Sequence, residues 1–166
     1  MSALWSYFWP ALAMGLLIGV LTGIFAFRRR AKRLALLAAG PLLSIAAASL
    51  WHGPLGAADR FTTGVEGIAR QALVNYDAPA GLTVRLHHEP LTRELILSGP
   101  ANDFQRAEAA RLLSQIPGVS RAVWAPSVGV PLIGEGAAVA LAGFLFGLLL
   151  AYLVELRRRY NAQWNW

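Results

Sequence analysis

Apolar residues gather in three long blocks, at positions 4–27, 34–51 and 132–154, with a polar stretch between the second and third. Each block is about the length a helix needs to cross a hydrocarbon core, roughly 17–25 residues, and none has a charge near its middle. A soluble chain of this size has no core large enough to hide all three. They are therefore predicted to be transmembrane helices. The second block is the shortest and holds Gly40-Pro41 at its centre. Proline removes a backbone donor and clashes with the preceding turn, so a kink is expected there.

The polar stretch has its own periodicity, from about 59 to 125. Phe61, Val65, Ile68 and Ala72 recur at helical spacing. Asp77 to Gly81 is a breaker. Leu82, Val84 and Leu86 then alternate with Thr83, Arg85 and His87 as in a half-buried strand. Glu89-Pro90 marks a turn, and Glu94 to Ser98 reads as a second strand. Asn102 or Asp103 can cap a second helix with an apolar stripe of Ala109, Leu112, Leu113 and Ile116. Pro117-Gly118 ends it, and 119–124 is a third strand. The predicted fold class is a small α+β module (helix-strand-strand-helix-strand) plus three transmembrane α-helices. The segments are 1–52, with two spans; 53–128, the module; and 129–166, the third span and its tail. The linkers at 53–58 and 125–131 reach at most about 20–25 Å, at roughly 3.3–3.6 Å per residue, so the module is expected beside the membrane.

Charge orients this plan. Arg28, Arg29, Arg30, Lys32 and Arg33 form one basic cluster, and Arg157, Arg158 and Arg159 another. The other seven arginines are matched by seven carboxylates in the middle of the chain. The net charge of +6 is thus the two clusters less Glu135 and Glu155. Basic residues beside spans face the cytoplasm. The loop at 28–33 and the carboxyl terminus are therefore expected inside, with the amino terminus and residues 52–131 outside, in the periplasm of a bacterial inner membrane. A neutral module speaks against nucleic acid, which needs a basic face. A cleaved leader is not expected, because the start is uncharged and the first block too long. There are no cysteines, hence no disulfide or thiolate metal site.

The tryptophans fit the same orientation. Trp5, Trp9 and Trp51 fall at the outer ends of the first two blocks, and Trp164 and Trp166 just past the inner end of the third. Amphipathic rings collect at the headgroup level. Trp124 reads equally as such a ring or as a core residue of the module. Gly15, Gly19 and Gly23 share one helix face, as do Gly143 and Gly147 in the third block. Such faces let backbones approach closely, which drives association in lipid. They point to helix packing, with a partner helix in this chain or in another.

The order of elements, the Leu97-Ser98-Gly99 string and the Ile116-Pro117-Gly118-Val119 string together resemble the BON domain of bacterial envelope proteins. The resemblance implies a periplasmic or membrane-attached module with proposed roles in phospholipid binding and envelope maintenance, and no catalytic residues. This chain differs in having a single copy, in Pro100 after Ser98-Gly99, and in spans on both sides.

Candidate chemistry is sparse. His87 and His88 are adjacent, so in a strand they point to opposite faces and are badly placed to share a metal. Ser98, His87 and Asp103 lack the nucleophile-elbow context of a hydrolase triad. No block has a central ionisable residue for a proton relay or ion path. Glu135 stands at the start of the third block, where an acid suits the helix dipole; Glu155 and Arg159 are spaced for an ion pair. The expected function is that of a non-catalytic scaffold or accessory subunit of a membrane or envelope complex, without a cofactor. Its expected partners are membrane lipids, other integral membrane subunits and a second copy of the chain. The alternative is a phospholipid-binding protein of envelope maintenance.

Overall fold

The computed structural model describes residues 3–28, 32–127 and 129–163. In chain order the elements are α1 (Ala3–Arg28), α2 (Arg33–His52), α3 (Ala57–Asn75), β1 (Thr83–His88), β2 (Leu91–Ser98), α4 (Asp103–Leu113), β3 (Arg121–Val123) and α5 (Leu132–Gln163). Among the described residues the fold is mixed α+β and mostly helical, with one three-stranded sheet. Helices α1, α2 and α5 are long and apolar enough to cross a membrane, which makes this a membrane protein. Contacts divide the chain into two units. One comprises the described residues of Met1–Tyr7 and Gly56–Glu135, the other those of Phe8–Leu55 and Gly136–Trp166.

In the first unit the strands lie in the order β1-β2-β3, with β1 antiparallel to β2 and β2 parallel to β3. A parallel step needs a crossover, which α4 supplies. One sheet face carries Val84, Leu86, Leu95 and Leu97, paired as Val84↔Leu97 and Leu86↔Leu95, all buried. Helix α3 packs against β1 and α4 against β3. Their buried rows are Ala57, Phe61, Val65, Ala69 and Leu73 on α3, and Ala109 and Leu113 on α4. Burying each large side chain of this layer contributes about 1.5–3 kcal/mol. Tyr7 joins the same layer, its ring centroid 5.9 Å from that of Phe61.

Several boundaries differ from the sequence pattern. Ile68 is exposed, because the buried row of α3 advances by four through Val65, Ala69 and Leu73 and leaves Ile68 on the flank. Strand β2 begins at Leu91, not Glu94, since polar Thr92 and Glu94 are buried members of the strand. Strand β3 is shorter, as Val119 N–H donates to Ile116 O in a turn. Helix α4 ends at Leu113, so Ile116 is buried from that turn and not from the helix. Its cap is Asn102: the side chain accepts Gln105 N–H at 2.8 Å, and Gln105 Oε1 accepts Asn102 N–H at 3.0 Å.

The two strings that carry the family resemblance each contain a glycine the backbone requires. Gly99 has φ 130°, and a Cβ there would collide with the carbonyl of Gly81. Gly118 has φ 110° and lies beside Phe61 and Val65. Side chains rarely adopt either conformation.

In the second unit, Gly15, Gly19 and Gly23 of α1 face α5. A Cβ on Gly15 would strike the carbonyl oxygen of Ala140, one on Gly19 that of Phe144, and one on Gly23 the Ala151 methyl. In return, Gly143 meets the carbonyl of Leu12 and Gly147 that of Leu16. Helix α2 turns Gly40, Ser44 and Ala48 inward, with Gly40 against the Phe144 ring and Thr22 Oγ1. It stays helical through Pro41 from Arg33 to His52. Ser44 Oγ donates to Gly40 O at 3.1 Å, so this buried hydroxyl is satisfied without water.

Candidate functional site

The most concentrated polar chemistry lies on the first unit, at the end of the sheet where β2 meets β3. The Glu94 side chain is only 2% exposed. Arg121 donates to it from β3, and Ser127 Oγ lies 2.9 Å from both carboxylate oxygens. Arg121 also bonds Ser127. Burial alone would push the Glu94 carboxyl up; the Ser127 and Arg121 bonds outweigh it and hold the group below the ordinary glutamate range. One residue earlier, Arg93 Nη1 donates to Glu135 Oε2 at 3.0 Å, while Arg93 Nε is buried with no hydrogen-bond partner among the described residues. The segment after β3 closes over this edge, with Thr92 bridged to Pro131 and Gly129 against Glu94. Two acids facing two arginines form a nearly saturated network. It is suited to fixing Ser127, Gly129 and Glu135 against the sheet and poorly suited to proton transfer.

A second feature lies at the opposite edge, a groove of about 590 Å³ between α3 and β1. Glu66 of α3 reaches across, its Oε1 accepting Leu86 N–H at 2.9 Å and lying 3.4 Å from His88 Nε2. A carboxylate here takes the place that the next strand's carbonyl would hold.

The histidines and the serine named from sequence are not assembled. His87 Nδ1 lies 3.0 Å from Pro90 O, His88 faces Glu66, Ser98 pairs with Thr83, and Asp103 opens α4. Among the described residues there is no group of three or more His, Asp or Glu side chains that could hold a metal ion. Trp124 is docked on α4: its Nε1 donates to Arg106 O at 3.2 Å, and the Arg106 guanidinium sits 5.2 Å from the ring centroid.

The remaining sequence-named residues fall as follows. Gly15, Gly19, Gly23, Gly143 and Gly147 all lie in the α1–α5 contact within this chain. Trp5 and Trp9 are half-exposed on α1, and Trp51 is partly exposed in the last turn of α2. Arg28, Lys32, Arg33, Arg157, Arg158 and Arg159 are exposed at helix ends. Glu155 pairs with both Arg158 and Arg159, at 3.5 and 3.2 Å. Arg29, Arg30, Trp164 and Trp166 lie outside the described residues.

Sequence reasoning missed Glu66, Arg93, Glu94, Arg121 and Ser127. The one usable signal was parity. Glu94 shares a strand face with Thr92 and Ile96, opposite Leu95 and Leu97, so a strand begun at Leu91 would have put it beneath whatever covers that face. No family model matches the chain, and neither a curated protein nor a solved structure matches it.

Proposed function

We propose that the chain is a non-catalytic scaffold or accessory subunit of a bacterial inner-membrane or envelope complex. On this reading it is held by three spans and presents a BON-like module on the periplasmic side. The loop at 28–33 and the carboxyl terminus would face the cytoplasm. One observation carries the reading: the helix-strand-strand-helix-strand module is inserted between membrane helices by the short segments 53–56 and 124–131. A module so tethered is suited to meeting partners at the bilayer surface. The engagement of Glu94, Glu135 and Glu66 in structural bonds supports a binding role over catalysis.

The glycine faces bear on where partners dock. Since α1 and α5 use them on each other, partner subunits in the membrane would meet the large apolar residues that remain exposed, such as Leu17, Phe25, Leu42 and Leu149. The decisive experiment solubilises native membranes in a mild detergent and measures particle mass, for the full chain and for a chain with 57–123 replaced by a short flexible linker. The full chain should migrate in a large assembly and the shortened one should not. A full chain that runs alone would overturn the reading. Flotation of the fragment 57–127 with anionic liposomes tests the phospholipid alternative, which retained protein would favour.

A further inference from the structure

Among the described residues, the sheet order leaves β1 with no neighbour on its outer side. In an antiparallel pair, successive residues point their backbone groups alternately toward the partner strand and away from it. Leu86 N–H points away, since Glu66 takes it. Val84, two residues earlier in an unbroken register, therefore also turns its N–H and C=O outward. Nothing among the described residues bonds them. They open on the groove between α3 and β1.

The walls of that groove differ in chemistry. The α3 side offers Leu73 and Val74, the latter 72% exposed. The Arg85 side chain has no hydrogen bond or ion pair among the described residues, and the Arg70 side chain uses only Nε, on Glu66 O at 3.3 Å. Glu66 is held by Leu86 N–H and lies beside His88, and among the described residues no carboxylate comes within ion-pair distance of Arg85.

The geometry points to the outer edge of β1 as a docking strand for an extended segment of a partner protein in which apolar and acidic residues alternate. The inference rests on the scaffold reading and names the partner's chemistry. A strand added at Val84 gains main-chain hydrogen bonds, and its side chains fall alternately on the two sheet faces. Its apolar residues lie on the Val84 side, over Leu73 and Val74. The residue between them lies beside Arg85, where a carboxylate fits. Glu66 closes the ladder at Leu86 and so limits how far pairing extends. Self-pairing of β1 through Val84 and Leu86 of both copies would set Arg85 directly opposite itself, which is unfavourable.

The test titrates the purified full chain in nanodiscs with a fluorescent peptide, acetyl-Thr-Val-Glu-Val-Glu-Val-Thr-amide, following anisotropy and exchange of the Val84 amide. Binding should saturate below about 1 mM and slow that exchange. Methylating the backbone nitrogen of the central valine should weaken binding about fivefold, since it removes one ladder bond without touching the protein. Arg85→Glu should weaken it about five- to tenfold, and a lysine-for-glutamate peptide should recover affinity on that variant. Glu66→Ala should strengthen binding by opening Leu86. No saturation, or binding indifferent to both methylation and charge, overturns the proposal. So does concentration-dependent protection of Val84 without peptide, which would assign the edge to a second copy. If the peptide fails while the chain still migrates in a large assembly, the scaffold reading stands and the edge is not its contact. Peptide binding by a chain that runs alone from native membranes would have the opposite meaning.

Discussion

Helices α3 and α1 belong largely to different units and are built on the same row. In each, the buried positions advance by four, through Phe61, Val65, Ala69 and Leu73 in α3 and through Ala11, Gly15, Gly19 and Gly23 in α1. They fill that row with opposite residues. The α3 row is mostly large and apolar, and Phe61 is 2% exposed. The α1 row is nearly all glycine and alanine, while Leu17, at 60% exposure, and Leu21 and Phe25 point outward. In water, a helix is stabilised by hiding its large apolar side chains. In lipid, that gain is absent, and close backbone packing takes over. The same spacing therefore serves two solvents, and the side chain at each step shows which one the helix was built for.

A pair of truncations separates the two helices most strongly. Phe61→Ala should cost the module about 3–5 kcal/mol, seen as loss of its cooperative melting transition, whereas Leu17→Ala should leave helix association in detergent nearly unchanged. Comparable losses from the two would contradict the assignment of solvents. Next in size is Gly19→Leu, which forces a side chain into the Phe144 carbonyl and should cost about 1–3 kcal/mol or more, read as loss of the α1–α5 contact in disulfide-trapping or thermal assays. The matching change in α3, Gly67→Ala, meets nothing within 4 Å and should instead stabilise by about 0.5–1 kcal/mol. Opposite signs for these two glycines would sharpen the contrast most directly.

Between these lies the charged network of the first unit. Glu94→Gln should destabilise the module by about 1–3 kcal/mol, because Arg121 and Ser127 lose a charged acceptor. The pH dependence has a definite sign. Folding lowers the affinity of Glu94 for its proton, so its contribution is full above the ordinary glutamate range and is lost as pH falls from that range through the lower value held in the fold. Melting of the full chain from pH 7 down to about pH 3 should show this decline, and Glu94→Gln should flatten it. A Glu94→Gln protein with the parental acid profile would remove Glu94 as its source.

Much of this was legible from the chain. The three long helices follow from uninterrupted apolarity, and the alternation of Val84 and Leu86 gave β1 its inward face. The glycines of α1 and α5 were visible as faces, because residues four apart share a side of a helix whatever else the chain does. Their partner was not visible, since a face of glycines is complementary to many helices, and only the packed structure pairs Gly19 with Phe144. Ile68 shows a similar limit: spacing allows either flank of a helix row to be buried, and the sheet beneath α3 chose Ala69.

Solvent and local character are written along the chain: which segments are apolar throughout, and which helix ends carry the basic clusters. These are properties of residues and near neighbours. Folding brings Glu94 to Arg121, Arg93 to Glu135 and Glu66 to Leu86 N–H. Each pairing joins groups 20 or more positions apart, and no periodicity records such a meeting. A carboxylate looks the same along a chain whether it will end in water or beneath a loop. Only folding removes the water and makes its partner matter.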